Sequence, residues 1–147
     1  MTFERVTLII VSGLLLGFVT LRYHGVTANI TDSEPIGLYI QVGGLPHRGS
    51  LVQLRPLMKN LAGVPGDVIR VSPEGSYINA KLWPNSAIPT QTHGYKPYPF
   101  GTIKLQPNQY WMLGSSNDSW DSRWLGPITG DLIAATIQPL WTTKETP

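Results

Sequence analysis

The stretch VTLIIVSGLLLGFVTL, residues 6–21, decides how this chain of 147 residues is divided. It carries no charge, and only small or hydroxyl-bearing residues interrupt its apolar side chains. As a helix it extends about 24 Å at 1.5 Å per residue, slightly less than the roughly 30 Å hydrocarbon core of a bilayer. Phe3 and Tyr23 are placed to extend it to the two interfaces. Because the run is apolar on every side, a helix in a soluble core is disfavoured. We predict an N-terminal membrane anchor over residues 1–26.

A cleavable signal peptide is the main alternative to an anchor. Val26-Thr27-Ala28 is an acceptable small-residue cleavage site after the apolar run. The flanking charges do not determine the orientation, since Arg5 on one side is matched by Arg22 on the other. The residues alone therefore predict a membrane-directed segment without fixing the side on which the remaining chain lies.

The composition indicates one mainly β domain over residues 27–147. The 15 glycines and 13 prolines are spread along the chain, as in many short strands joined by tight turns. Charged residues make up only 14% of the chain, below the roughly 25% usual for soluble domains. The length suffices for one compact core but hardly for two.

Six segments have the composition of strands. They are residues 38–42, 50–54, 68–71, 77–82, 109–113 and 132–137. Pro73-Glu74-Gly75 separates the third segment from the fourth, which predicts a hairpin. Residues 83–107 hold five prolines and few apolar alternations. They predict a long surface loop or an excursion off the main sheet.

Several classes of site are disfavoured. The net charge is only +2 and the eleven Lys and Arg residues are scattered, so no basic stripe indicates a nucleic-acid partner. The chain has no cysteine, which excludes disulfides and cysteine zinc sites. It also lacks a His-Glu-x-x-His pair and an EF-hand loop. We expect no metal or other cofactor and no nucleic-acid partner.

The three histidines do not support a Ser-His-Asp triad. His24 adjoins the apolar run, His47 lies in a Pro-His-Arg-Gly turn, and His93 lies in the proline-rich region. None neighbours a Gly-x-Ser-x-Gly elbow, which the chain lacks. We interpret all three as surface or turn residues.

A lysine among apolar residues is a candidate general base. Lys59 follows Leu57-Met58 and precedes Leu61-Ala62 after one asparagine. Burial penalises the ammonium form and lowers the pKa of a lysine. To act as a base near neutral pH, Lys59 needs a pKa about two units below the usual value of about 10.4. The alternative, which composition alone favours, is a lysine that extends from a strand end into solvent.

The segment 114–123 is dense in small polar groups between two apolar, tryptophan-containing stretches. This pattern is typical of a satisfied, partly buried hydrogen-bond network, with an ion pair between Asp121 and Arg123. An Asx-rich turn between two strands explains the same residues. The local sequence does not separate the two interpretations.

Three segments, taken in chain order, resemble the conserved boxes of the type I signal peptidases. The first is Ser33-Glu34-Pro35 just past the apolar run, and the second is Lys59 ahead of Gly63-Val64-Pro65-Gly66-Asp67. The third runs from Gly114 to Asp121-Ser122-Arg123. The continuation Ile36-Gly37-Leu38-Tyr39 resembles the conjugative-transfer (TraF-like) branch, which matures pilin precursors. The resemblance spans about residues 5–140 and implies a domain of two packed antiparallel sheets.

The resemblance implies a serine endopeptidase with a Ser/Lys dyad. Ser33 attacks the scissile carbonyl, and neutral Lys59 takes its proton. The side chain of Thr31 and the backbone N–H of Ser33 donate to the oxyanion, and such donors contribute about 3–4 kcal/mol each. The supporting residues implied in the third box are Ser119, which orients the lysine amine, and Asp121 and Arg123, which brace the box.

The resemblance also implies a location and partners. It places a single-pass protein in the bacterial inner membrane, with the catalytic domain on the periplasmic side. The expected partners are an exported pilin-like precursor as substrate, the lipid bilayer and other subunits of a transfer apparatus. The family preference implies small residues before the cut. It stays open whether water or a peptide amine, which joins the pilin ends, resolves the acyl-enzyme.

Four residues depart from the general family pattern. Glu34 replaces a common methionine, Asn60 replaces the usual arginine, and Ser115-Ser116 replace a common Asp-Asn pair. These changes favour a dedicated conjugation peptidase over a general leader peptidase, which is the first alternative. A self-cleaving repressor requires a DNA-binding domain where this chain has an apolar helix. The remaining alternative is a non-enzymatic anchored subunit of a transfer apparatus.

Overall fold

The computed structural model describes residues 3–54, 57–89 and 94–143. These residues form a long N-terminal helix followed by two antiparallel sheets. The expectation of a mainly β domain behind an apolar helix is confirmed.

Helix α1 (Phe3–Tyr23) is longer than the apolar run within it. Its 21 residues extend about 32 Å at 1.5 Å per residue, which matches a hydrocarbon core of roughly 30 Å. The hydroxyls of Thr7 and Thr20 donate to the carbonyls of Phe3 and Leu16, so they are satisfied within the helix. No side chain of α1 is buried, so it is not a core helix of the domain. Its length and composition suit a membrane span.

The first sheet has seven antiparallel strands. In spatial order they are β1 (Val26–Asn29), β2 (Gly37–Val42), β11 (Ile133–Thr142), β3 (Leu51–Leu54), β4 (Leu57–Gly63), β9 (Gln109–Leu113) and β10 (Ile128–Thr129). Strand β4 lies inside the sheet between β3 and β9, whereas β1 and β10 are the edges. Side chains on both faces of β4 are therefore mostly covered by the fold.

The second sheet has four antiparallel strands. In spatial order they are β7 (Lys81–Leu82), β6 (Gly75–Ile78), β5 (Val68–Ser72) and β8 (Gly101–Lys104). A short helix, α2 (Ser122–Leu125), lies between β9 and β10, and a 3-10 turn (Gly130–Leu132) precedes β11.

The core lies between the sheets and on both faces of the first sheet. The cluster that joins the sheets comprises Ala62, Ile69, Val71, Ile78, Leu105, Trp111 and Leu113. Met58 packs with Tyr39 and Ile137, whereas Leu61 packs with Val52 and Met112. Met58 and Leu61 belong to opposite faces because side chains alternate along a strand. Residues between them in β4 therefore lie in the middle of the domain.

Most predicted strands are present. The segments at 38–42, 50–54, 68–71 and 109–113 correspond to β2, β3, β5 and β9 to within one residue. The predicted hairpin around Pro73-Glu74-Gly75 is confirmed by the pairing of β5 with β6. The segment at 132–137 becomes the longer β11.

Four strands were not predicted: β1, β4, β8 and β10. Strand β1 starts at Val26, one residue before the predicted domain boundary, and pairs with β2. Strand β8 lies inside residues 83–107, where a loop or an excursion was expected. The segment has little alternation of apolar and polar residues, and pairing with β5 orders it. Trp83 and Tyr98 from this region pack against the core cluster between the sheets. Residues 90–93, including His93, lie outside the described residues.

Candidate active site

Lys59 lies in the middle of β4 and pairs with Val52 of β3. Its side chain is 1% exposed, so the interpretation of a lysine that extends into solvent is wrong. The Nζ atom donates a hydrogen bond of 2.6 Å to the Oγ of Ser119. A buried lysine with a hydroxyl acceptor has a fixed amine position, as a general base requires.

Burial lowers the pKa of Lys59, because desolvation penalises the ammonium form. The carboxylates of Asp121 and Glu34 oppose this change, whereas the guanidinium of Arg123 adds to it. The net direction is downward. A larger share of Lys59 is therefore neutral near pH 7 than of a lysine in water.

Gly114 brings the third box against the Ser33 segment. A Cβ atom at this position would collide with the hydroxyl of Ser119 and would lie 3.1 Å from the backbone oxygen of Ser33. That oxygen accepts a hydrogen bond of 2.8 Å from the backbone N–H of Ser115. The absence of a side chain at position 114 thus allows the serine segment to approach the hydroxyl that holds Lys59.

Ser33 is half-buried in the loop between β1 and β2. Within the described part of the chain, its Oγ makes no hydrogen bond with the Nζ of Lys59. Catalytic hydrogen bonds are often long without substrate and shorten in the Michaelis complex. The structure therefore brings the two segments together without forming the bond between the predicted nucleophile and base.

Asn29 shapes the Ser33 loop, and sequence analysis did not select it. This residue is 5% exposed, and its Nδ2 donates to the backbone oxygens of Thr31, Glu34 and Pro35 at 2.9, 2.8 and 3.2 Å. One side-chain amide thus satisfies three carbonyls of a short loop. An asparagine at the end of β1, four residues before the serine, is the only signal the sequence offers.

Thr31, the predicted oxyanion donor, is exposed. Its hydroxyl donates to the Oδ1 of Asn29 at 2.8 Å. The hydroxyl proton must turn away from Asn29 before it can serve an oxyanion. The oxyanion role of Thr31 and of the Ser33 N–H stays a prediction.

The third box is a buried hydrogen-bond network rather than only an Asx turn. Arg123 is fully buried and donates to Asp121 through Nε and Nη2 at 2.9 and 2.6 Å, so the expected ion pair is present. Asp121 also accepts from the backbone N–H of Gly114 at 2.8 Å and caps α2. Arg123 further donates to the carbonyls of Ser116 and Asn117 at 2.7 and 2.9 Å. The pair therefore fixes both ends of the loop that carries Ser119.

The turn after Lys59 is fixed by Asp67. Its carboxylate accepts from the backbone N–H of Val64 at 2.9 Å and from Asn79 at 2.7 Å, and it pairs with Arg48. Burial alone raises the pKa of Asp67, but these hydrogen bonds and the Arg48 charge outweigh burial and hold the pKa below its usual value. The carboxylate thus ties the turn after β4 to the second sheet.

Neither histidine of the described residues forms a hydrogen bond with Ser33, Lys59 or Ser119, although His47 lies in the wall of a cleft that Glu34 and Ser115 also line. His24 and His47 are exposed, and His24 contacts the ring of Tyr23 beside the helix end. Their placement agrees with the interpretation as surface or turn residues.

With this geometry established, comparison with known proteins gives the family. The sequence matches the family profile described as signal peptidase, peptidase S26, over residues 2–141. The chain belongs to this signal peptidase family. The matched range includes all three boxes.

The chain is similar in sequence to several individual proteins. It is 31% identical over 110 residues to a probable signal peptidase I-2 of Synechocystis sp., covering 65% of this chain and 49% of that protein. The chain thus spans about half the length of that relative. It is 25% identical over 152 residues to the plasmid transfer protein TraF of Escherichia coli, covering 80% of this chain and 84% of that protein. It is also 25% identical to the conjugal transfer protein TraF of Agrobacterium fabrum, with 90% and 92% covered.

Among solved structures, the chain is similar to a signal peptidase I from Enterococcus faecalis. The TM-score is 0.42 at 17% sequence identity, and the match covers 65% of this chain and 98% of that chain.

Proposed function

We propose that the chain is a membrane-anchored serine endopeptidase that processes an exported pilin-like precursor for conjugative transfer. Ser33 is the nucleophile and Lys59 the general base. The observation that carries the proposal is the position of the Lys59 amine, which is buried and hydrogen-bonded to Ser119 beside Gly114. Membership of the signal peptidase family supports the same chemistry.

The proposed reaction has two stages. In the first, Ser33 Oγ attacks the scissile carbonyl while its proton passes to the neutral amine of Lys59. The oxyanion accepts hydrogen bonds from the Ser33 N–H and, after its hydroxyl rotates, from Thr31. Collapse of the tetrahedral intermediate breaks the C–N bond, and the leaving amine takes the proton from Lys59. In the second stage, water or a peptide amine attacks the acyl-enzyme and releases Ser33.

The third box keeps the amine of Lys59 in place during these steps. Ser119 accepts the hydrogen bond of Lys59, and the buried pair of Asp121 and Arg123 holds the loop around Ser119. Pre-organised polar groups of this kind lower the barrier because they need little reorganisation during the reaction.

The helix α1 is proposed as a retained anchor in the bacterial inner membrane, with the domain on the periplasmic side. Retention of the helix is supported by the position of the possible cleavage site, Val26-Thr27-Ala28. These three residues lie in β1 and pair with residues 38–40 of β2. A cut there would remove part of the sheet. The two TraF relatives, named for plasmid and conjugal transfer, support a substrate and partners within a transfer apparatus.

Alanine substitution of the proposed dyad tests the function. We expect Ser33→Ala and Lys59→Ala each to lower the rate of precursor cleavage by roughly 10³-fold or more. Lys81→Ala, which removes an exposed lysine from the edge of the second sheet, serves as the control and keeps the wild-type rate. A Ser33→Ala protein that still cleaves at the wild-type rate would refute Ser33 as the nucleophile, and a wild-type protein that cleaves no precursor would favour a non-enzymatic anchored subunit.

The fate of the acyl-enzyme is tested by mass spectrometry of the mature pilin. A product with the mass of the linear chain means that water resolves the intermediate. A product lighter by one water means that a peptide amine does so and joins the pilin ends.

A general leader peptidase is the second candidate, because the Synechocystis relative is named a probable signal peptidase I-2. The two candidates differ in what a cell loses when the protein is depleted. Loss of conjugation with normal secretion supports the dedicated peptidase, whereas accumulation of many secretory precursors supports the general one.

A further inference from the structure

A buried carboxyl group lies one residue beyond the proposed nucleophile. Glu34 is 3% exposed, and its Oε1 accepts from Asn60 Nδ2 at 2.8 Å and from the backbone N–H of Ser115 at 3.1 Å. Its Oε2 accepts from the Ser115 hydroxyl at 2.7 Å. Asn60 also donates to Ser115 Oγ at 3.2 Å, so the three side chains form a closed triangle.

This triangle is formed by positions at which the chain departs from the general family pattern. Glu34, Asn60 and Ser115 belong to three different boxes and are separated by up to 81 residues in sequence. Because the side chains at these three positions hydrogen-bond with one another, we treat the three departures from the family pattern as one structural feature. The dyad chemistry described above does not use any of the three side chains.

The triangle holds the Ser33 segment on the sheet. The backbone N–H of Ser115 donates both to the Ser33 oxygen, at 2.8 Å, and to the Glu34 carboxylate. Ser115 follows Gly114, which packs against the hydroxyl that accepts from Lys59. The distance between the nucleophile segment and the base therefore depends on how Glu34 is bound.

The Glu34 carboxyl group is also coupled electrostatically to the base. The charged groups that act on Lys59 are Glu34 from the serine segment and Asp121 and Arg123 from the third box. Glu34 is itself affected by Lys59 of β4, and it raises the pKa of Tyr39 of β2 after burial, the larger cause. An ionised Glu34 stabilises the ammonium form of Lys59 and thus opposes its function as a base.

The Glu34 carboxyl group borders a cleft. Together with Asn60 and Ser115 it lines a cleft of about 540 Å³, whose wall also includes His47. Burial raises the pKa of Glu34, and the hydrogen bonds from Ser115 and Asn60 and the charge of Lys59 only partly oppose this. The charge next to Lys59 therefore depends on pH.

We infer that Glu34 is a positioning residue that, through Asn60 and Ser115, clamps the Ser33 segment beside Lys59 and sets the lower pH limit of the reaction. The inference rests on the proposed function. It assigns to Glu34 an action through Ser33 and Lys59, without contact with the reacting atoms.

The charge effect is tested without any activity assay. Glu34→Gln removes the charge and keeps an oxygen acceptor, and its amide can donate to the Ser115 hydroxyl. Full-length protein labelled with 13C at lysine Cε is titrated by NMR in detergent micelles, and the Lys59 signal is identified by its loss in Lys59→Met. We expect the midpoint in Glu34→Gln to fall by at least half a pH unit relative to Glu74→Gln, which removes an exposed carboxylate in the β5–β6 turn. Coinciding midpoints would overturn the inference.

The clamp is tested with an internally quenched peptide that has alanines before the scissile bond. We expect the acid limb of kcat/KM to shift to lower pH in Glu34→Gln by the same interval. Glu34→Ala, which removes the clamp, is expected to lower the plateau kcat at least tenfold with KM within threefold. If Glu34→Ala does not fold, Ser115→Ala is used in its place. Wild-type kcat in the folded variant overturns the clamp.

The two proposals fail in different ways. If the wild-type protein cleaves no peptide, or if Ser33→Ala cleaves it equally well, the proposed peptidase function is wrong. The NMR titration still measures the coupling between Glu34 and Lys59 in that case. If Ser33→Ala is inactive but Glu34→Gln and Glu34→Ala match the wild type, only the inference about Glu34 is wrong.

Discussion

At the residue scale, Gly114 limits how closely the serine segment and the Ser119 hydroxyl can approach. We expect Gly114→Ala to displace Ser119 and with it the amine of Lys59, since the new methyl group collides with that hydroxyl. A displacement of about 1 Å lowers kcat roughly 10²-fold. The measurement is peptide cleavage at saturating substrate. Gly43→Ala is the matched control, because a Cβ at position 43 meets no atom within 4 Å. Equal rates in the two variants contradict the role given to Gly114.

Asp67 leads to a prediction about stability and pH. Its folded-state pKa lies below the unfolded value, so its contribution is present above the unfolded pKa of about 3.9 and is lost as pH falls through the folded pKa. Asp67→Asn is therefore expected to lower the free energy of unfolding at pH 7 by about 1–3 kcal/mol. The difference from the wild type narrows below about pH 4.

Denaturant unfolding at several pH values checks this expectation for Asp67. Asp118→Asn, which alters an exposed carboxylate in the third box, is the control. A deficit in Asp67→Asn that stays constant from pH 7 to pH 3 would show that the loss is steric and does not come from the carboxylate charge.

At the element scale, the turn between β6 and β7 stores backbone strain. Asn79 and Ala80 have φ angles of 48° and 69°, and the pairing of Ile78 with Lys81 makes them the two residues of a tight hairpin. Such turns favour Asn-Gly, since glycine adopts positive φ without steric cost. We expect Ala80→Gly to stabilise the domain by about 0.5–1 kcal/mol. The stabilisation is measured as a rise in melting temperature. Ala134→Gly within β11 is the control, and we expect it to lower the melting temperature. A lower melting temperature in Ala80→Gly would contradict the turn assignment.

The same turn explains one limit of the sequence analysis. Residues 77–82 have strand composition throughout, and the positive φ angles that divide them at Asn79 and Ala80 have no glycine to indicate them. Strands β2, β3, β5 and β9 were predictable because apolar and β-branched residues bounded by turn residues are a local signal.

Strand β4 and the site around it needed the tertiary structure. Lys59 and Asn60 interrupt the apolar pattern of β4. Lys59 is buried and Asn60 half-buried only because β3, β9 and the third box cover them. The third box was expected to meet Lys59, and Ser119 does so, whereas the described residues show no hydrogen bond between Ser33 Oγ and Lys59 Nζ. The triangle of Glu34, Asn60 and Ser115 was not predictable, because each contact joins positions at least 26 residues apart.

At the scale of the whole molecule, the helix and the domain have separable roles. No side chain of α1 is buried, so a variant lacking residues 1–23 is expected to keep the melting temperature of the full chain, measured in the same detergent. Its kcat on a soluble peptide stays within threefold, because the helix contributes no residue to the site. Cleavage of a membrane-bound precursor in cells falls at least tenfold, since enzyme and substrate no longer share a surface.

The control for this truncation removes a few residues more. A variant lacking residues 1–29 also loses β1, and with it the buried Val26, Thr27 and Asn29 and the hydrogen bonds that Asn29 makes to the Ser33 loop. We expect this variant to unfold at least 10 °C lower and to lose peptide cleavage, since burial of side chains of this size and several hydrogen bonds contribute a few kcal/mol. If the shorter truncation already loses cleavage of the soluble peptide, α1 has a part in the site. If the longer one keeps it, β1 and Asn29 do not shape the nucleophile loop as the structure indicates.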